Sequence, residues 1–435
     1  MKRGVISVFG IAIVFGILLS YPISAASGVM IFLAGEFDMN AITKSLLVCL
    51  VILGAMVGVI GGGPIADRYG RKKAIFFAAV FLFIGSLFST MAKHFNELLI
   101  FRFAVGIGIG ITSMIVPVYL AEIALPKYRG KMVSIFQVAI TLGILISYIT
   151  NLCLFDTQSW RIALGVSAFF SILAFVFLFY IPESPSWLIS KGDVEGGREL
   201  LIRLYPRPEA DEIIDKIVSS KSSRKRIRFR KLFQGGLKKA LIIGVLLSVF
   251  QQITGINAII YYAPEIFHHA GITGLCHKLI ATTFLGVLNV CTALFALTQI
   301  DNWGRRNLLL IGIPGMIGAL IILALFFNIA SIAVLGLVLY IIFFGISLGP
   351  VAWVLIAEIY PLEIRGKAVS IALFMNWLAS LFVVWPFLFC IEKVGISAAF
   401  SAFALMSLFA LFFIYFFVPE TKGKTLEEIQ QYWQK

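Results

Sequence analysis

Twelve stretches of about 20 apolar residues are the feature that most limits what this chain can become. A helix rises 1.5 Å per residue, so about 20 residues cross a hydrocarbon core of about 30 Å. The stretches fall near residues 5–33, 45–66, 74–92, 98–121, 132–152 and 162–181, then 238–267, 278–300, 307–328, 331–357, 368–391 and 395–418. A polar segment, 183–236, divides the two sets of six, and a polar tail closes the chain. Only 13% of the residues are charged, about half the share in a soluble domain. The expected fold class is therefore an all-α polytopic membrane protein with two six-helix halves, 1–182 and 237–418. Between them lies a linker, 183–236, read as short amphipathic helices around 199–204 and again in 208–219. The tail is 419–435. The N-terminal apolar stretch outruns a signal peptide's hydrophobic region and has no clear cleavage site, so it counts as the first span.

A formal charge of +14 invites a nucleic-acid reading, but its distribution argues for topology. With both termini inside, the inner segments hold 30 of the 36 Lys and Arg. Outside lie Lys44, Lys93, Arg161, Lys278 and Lys393, while Arg102 sits within a span. That is the asymmetry the positive-inside rule requires. The basic run at 222–231 then faces anionic lipid or acidic loops rather than nucleic acid. The expected setting is the lipid bilayer of a bacterial inner membrane, which short outer loops and the lack of glycosylation sequons favour.

Nothing points to catalysis. The five cysteines (49, 153, 276, 291 and 390) have no metal-ligand spacing and read as packing residues, with a Cys153–Cys276 bridge as the alternative. The four histidines have no nucleophile or acid–base partners at useful spacing. GIGIG at 106–110 follows no strand, so it is a close-packing face of a helix rather than a dinucleotide fingerprint. No enzyme activity, metal or cofactor is expected.

The seventh span carries FQQITGINAIIYY (250–262), in which Gln251, Gln252 and Asn257 put three amides where hydrocarbon packing is the rule. Polar groups buried without partners cost several kcal/mol, so something must satisfy them. Uncharged amides beside aromatic rings suit a neutral, polyhydroxylated ligand, whose hydroxyls need donors and acceptors and whose C–H faces stack on rings. The alternative is that the amides join helices to one another.

The two halves also repeat. GPIADRYGRK (63–72) recurs weakly as LTQIDNWGRR (297–306), AEIALPKYRGK (121–131) as AEIYPLEIRGK (357–367), and PES (182–184) as PET (419–421). The shifts of 234, 236 and 237 residues are nearly constant, which marks an internal duplication. Duplicated halves with a site between them are one plan for secondary transporters. Asp67, Arg71, Glu122 and Arg129, with Asp301, Arg305, Glu358 and Arg365, lie at inner helix ends. There they can pair when the inner side closes and separate when it opens. Taken singly, each is equally an ordinary solvated helix-end charge.

These motifs in this order resemble the sugar porters of the major facilitator superfamily over essentially the whole length. The resemblance rests on GPIADRYGRKK (63–73), RFAVGIGIG (102–110), PVYLAEIALPKYRG (117–130), PESPSWL (182–188), QQITGIN (251–257), DNWGRR (301–306), GPVAW (349–353), AEIYPLEIRG (357–366) and PETKGKTLEEI (419–429). Bacterial pentose and hexose porters, xylose–proton symporters especially, are most alike, and facilitative glucose transporters are similar. The resemblance implies a major facilitator fold and a monosaccharide site. On matching positions that site would hold Gln137, Gln251, Gln252, Asn257, Tyr261, Asn289, Trp353, Asn376 and Trp377. Each polar member interrupts an apolar span, and Gly349-Pro350 breaks the tenth helix beside Trp353. Trp353 and Trp377 read either as stacking rings or as ordinary core aromatics.

Three departures matter. Proton-coupled members of the family carry an acid directly after a tyrosine in the first helix, paired with the arginine of the fourth. Here Pro22 follows Tyr21 and the first span has no acid, so Arg102 must find backbone carbonyls, water, Glu36 or Asp38. Asn302 stands where a basic residue is usual, and Gly345 where glucose facilitators carry a Glu. The expected function is monosaccharide movement by alternating access as a monomer, leaning to facilitated diffusion. Proton-coupled symport is the rival, with a sugar sensor or an exporter of amphiphiles further off.

Overall fold

A computed structural model describes residues 3–124, 129–205, 214, 235–360 and 365–422; the side chains of 3–7, 129–131, 133, 204, 235, 357 and 365 lie outside it. The helices before the linker are α1 (Arg3–Ser24), α2 (Ala26–Leu33), α3 (Ala41–Tyr69), α4 (Arg71–Met91), α5 (Phe95–Ile123), α6 (Arg129–Cys153) and α7 (Trp160–Tyr180). The linker contributes α8 (Pro185–Lys191) and α9 (Val194–Leu204). After it come α10 (Gly235–Ile253), α11 (Ile256–Tyr261), α12 (Ala263–His269), α13 (Leu275–Trp303), α14 (Arg305–Phe326), α15 (Ala330–Ile346), α16 (Leu348–Ile359), α17 (Arg365–Lys393) and α18 (Ile396–Phe417).

Twelve stretches among the described residues are long and apolar enough to cross a membrane, from Val8–Leu33 to Ile396–Phe417. Their outward faces keep rings such as Phe179 and Phe382 exposed, as hydrocarbon contact allows. Local chemistry sets several starts. Asn40 caps α3 through Thr43 N–H, Ser184 caps α8 through Trp187 N–H, and Pro185 occupies the first turn of α8, where its missing N–H leaves no gap. Asp193 caps α9.

Helices before the linker pack mainly on one another, and so do those after it; the two groups meet chiefly along α3–α17 and α6–α13. Small residues make one inner seam tight. A side chain at Gly58 would strike the carbonyl of Ile107, and one at Gly110 that of Ala55, so α3 and α5 approach through bare backbone. The linker hangs on the first group: Trp187 Nε1 donates to Asp67 O at 3.1 Å, and Tyr205 Oη to Ile123 O at 2.6 Å. Of the expected 208–219 helix only Ile214 is described, buried against Leu201. All five cysteines are free, so the alternative of a Cys153–Cys276 bridge is set aside.

Candidate functional site

Three of the spans are broken, and the breaks organise the polar residues. In the first, Ala25 separates α1 from α2. In the seventh, Thr254 and Gly255 separate α10 from α11; Gly255 holds φ at +100°, and a Cβ there would also enter the Phe403 ring. In the tenth, the break falls at Ser347, two residues before the Gly349-Pro350 pair expected to cause it. Pro350 instead sits in the first turn of α16, where it needs no N–H donor.

Around the seventh-span break the amides form a closed network. Asn257 Nδ2 donates to Gln252 Oε1 at 2.6 Å and to Ser380 Oγ at 2.9 Å. Gln252 Nε2 donates to Asn376 Oδ1 at 3.2 Å, and Asn376 Nδ2 donates to Gln251 Oε1 at 3.0 Å and Ser248 O at 2.9 Å. Gln251 Nε2 reaches the carbonyls of Leu348 and Gly349, both at 3.1 Å, which ties the seventh span to the restart of the tenth. Gln251, Gln252 and Asn376 are buried. Gln251, Gln252 and Asn376 each donate and accept here and Asn257 donates twice, so a ligand hydroxyl, itself donor and acceptor, can exchange into the network.

The remaining sequence candidates make no hydrogen bond to this cluster among the described residues. Asn289 of α13 lines a small cleft with Tyr148 of α6, Ile259, Ile260 and Ile341. Tyr148 Oη donates to Ile260 O at 2.7 Å, a contact from one half to the other. Tyr261 is buried, Gln137 and Trp353 are half-buried, and Trp377 is buried with its indole N–H unpartnered. Ser380 and Tyr148 were not singled out in the sequence, because a lone serine in an apolar span usually bonds its own helix and a lone tyrosine reads as a packing ring.

The charged motifs form two matching assemblies. Arg71 grips Glu122 with Nε at 3.0 Å and Nη2 at 3.1 Å, and Asp67 with Nη1 at 3.2 Å. Arg305 reaches Glu358 and Asp301, each at 2.9 Å. Glu183 accepts the N–H groups of Arg71 and Lys72 at the start of α4, as Glu420 accepts those of Arg305 and Arg306 at the start of α14. Ser184 and Thr421 then donate to Glu122 and Glu358. Burial tends to raise the Glu420 carboxyl, but four backbone N–H donors outweigh it and hold the group below the ordinary carboxylate range. Each assembly lies inside one half, so among the described residues neither bridges the halves. Arg129 and Arg365 fall among the side chains not described. Glu183 and Glu420 share the 237-residue offset of PES and PET, which could have marked them as a pair.

At the opposite end of α3, Lys44 pairs with Glu265 of α12 at 3.3 Å, joining the two halves. Arg102 is fully buried: Nη1 donates to Pro22 O at 2.7 Å, Nε approaches Leu47 O at 3.4 Å, and Nη2 has no partner. Glu36 is engaged by Arg161 at 2.7 Å and Asp38 is exposed, so of the anticipated partners the carbonyls are the ones found.

Two six-span groups, broken helices and a neutral polar cluster among them define a membrane transporter of the major facilitator fold. The family model described as "Sugar (and other) transporter" matches residues 34–433, and the chain belongs to that family. It is 33% identical over 436 residues to the glucose transporter GlcP of Staphylococcus epidermidis, covering 99% of this chain and 97% of that one. It is also 33% identical over 473 residues to the D-xylose-proton symporter of Escherichia coli K12, covering 99% and 96%. Among solved structures, the proton:xylose symporter XylE bound to 6-bromo-6-deoxy-D-glucose superposes with a TM-score of 0.87 at 31% identity, with 99% of both chains covered. The chain is thus a multi-pass sugar transporter, not an enzyme.

Proposed function

We propose that the chain carries a monosaccharide, a hexose or a pentose, down its gradient by alternating access between the halves 1–182 and 237–418. The observation that carries this is the closed network of Gln251, Gln252, Asn257, Asn376 and Ser380 across the seventh-span break. It offers uncharged donors and acceptors inside an apolar bundle, as a neutral polyol requires. Gln137, Tyr261, Asn289, Trp353 and Trp377 complete the proposed site, the two indoles supplying stacking faces. The Asp67–Arg71–Glu122 and Asp301–Arg305–Glu358 assemblies, with Arg129 and Arg365, act as the inner gate. The protein works as a monomer in a bacterial inner membrane, with both termini cytoplasmic.

Uncoupled movement is favoured because Arg102 faces the backbone carbonyls of Pro22 and Leu47 rather than a carboxylate. A group that gains and loses a proton within the cycle would need to sit there or nearby. The second reading, proton-coupled symport, is favoured by the likeness to the D-xylose-proton symporter. Counterflow of radiolabelled xylose and glucose in proteoliposomes tests the assignment. A KM for exchange raised about 10-fold by Asn257→Ala is the expected outcome; no exchange of either sugar by the wild type contradicts it.

A further inference from the structure

The breaks in the first and seventh spans are closed by side chains from equivalent places. In the first span, Ala25 N–H donates to Tyr21 O at 2.8 Å and Val29 N–H to Ala25 O at 3.1 Å, but the intervening bond to Pro22 O is not formed. Arg102 of α5, the fourth span, takes that carbonyl. In the seventh span, Thr254 N–H donates to Phe250 O at 3.3 Å and Ile259 N–H to Gly255 O at 3.1 Å, and the bond to Thr254 O is likewise missing. Tyr340 of α15, the fourth span of its half, donates its hydroxyl to that carbonyl at 3.0 Å. Thr254 lies 232 residues after Pro22, and Tyr340 238 after Arg102, bracketing the 234–237 shift of the repeated motifs.

A buried carbonyl released from its helix must find another donor, and a phenol fixed in a packed core can supply one. Tyr340 is fully buried, its ring 6.2 Å from that of Phe344 and nearly parallel to it. We infer that Tyr340 is a positioning residue for the sugar site: by holding the Thr254 carbonyl it fixes the break that sets Gln251 and Gln252 against Asn257. Gln252 lies just before the break and Asn257 just after it, and they meet at 2.6 Å. A small change in the turn moves one amide away from the other. The first half makes the same closure with a permanent charge, the second with a neutral hydroxyl beside a site that must accept an uncharged ligand.

This inference rests on the sugar-transport reading, and the test separates the two. Tyr340→Phe keeps the ring and removes only the hydroxyl, so folding is expected to survive. Loss of one buried hydrogen bond corresponds to a rise of roughly 3- to 10-fold in the KM for sugar exchange, with Vmax little changed. Hydrogen exchange of the backbone amides over 255–262 should quicken in the variant by a similar factor, whether or not the tested sugar is the right one. A merely structural role would lower the yield of folded protein and leave KM alone. If KM and exchange at 255–262 both match wild type, the positioning role is overturned. If the wild type moves no sugar but exchange at the break still quickens, the transport reading fails and the closure by Tyr340 stands.

Discussion

Arg102 Nη1 donates to the Pro22 carbonyl at 2.7 Å, so the one charge found buried among the described residues of the first-half spans is answered by a helix break rather than by an acid. The released carbonyl of a helix end carries negative partial charge, which suits a cation, but it leaves the formal charge uncompensated.

Pro22→Asp supplies the missing countercharge. A carboxylate beside the guanidinium gives the buried charge a formal partner while ionised and none once protonated. A gain of about 1–3 kcal/mol at pH 7 is expected from pairing a buried charge, as a higher midpoint in thermal unfolding of the detergent-solubilised protein that disappears on acidification. A midpoint unchanged at both pH values counts against an uncompensated Arg102.

Gln251→Ala removes the side chain that joins two helices. It strips a donor from the carbonyls of Leu348 and Gly349 and an acceptor from Asn376. Each buried group left unmatched costs about 1–3 kcal/mol, so stability should fall by about 2–4 kcal/mol, with sugar exchange lost. Asn257→Ala vacates only Gln252 and Ser380, and should raise KM about 10-fold with a smaller change in midpoint. Kinetics and thermal unfolding on both variants check the difference.

Gly255→Ala and Gly61→Ala form a contrasting pair. The first places a Cβ at φ +100° and into the Phe403 ring, at a cost of about 1–3 kcal/mol. The second meets nothing within 4 Å in the middle of α3, and should be neutral or stabilising by up to about 1 kcal/mol. Equal effects in thermal unfolding would mean that the turn at Gly255 is not required.

Glu420 links pH to the inner face of the second half. Because four backbone donors lower its folded value, its contribution is complete above the ordinary carboxylate value of 4.5 and is lost as pH falls below it. Glu420→Gln should remove that part of the acid sensitivity, as read from unfolding midpoints across pH 3–7, a range of roughly four units about the carboxylate value.

Much of the fold was open in the sequence because hydrocarbon imposes strict rules. The apolar stretches, the charge asymmetry and the repeated motifs at 67/301, 122/358 and 182/419 mark the spans and the duplication. The amides were conspicuous for the same reason, since Gln251, Gln252 and Asn257 stand in an apolar context. Bonds between distant residues were not visible. Nothing local to Tyr340, Ser380 or Tyr148 reveals a partner 86, 123 or 112 residues away. The recurrence of the inner charges at a near-constant shift was visible, but not which side chains each of them meets. Recurrence fixes equivalent places within each half and says nothing of which half supplies the partner.

The most direct measurement is uptake of radiolabelled xylose and glucose by proteoliposomes, with and without an imposed inward proton gradient. Uncoupled transport gives equilibration to the outside concentration at a rate and extent indifferent to the gradient. Accumulation above the outside concentration, abolished when the gradient is collapsed, would contradict uncoupled transport and show that a proton carrier operates without an acid in the first span.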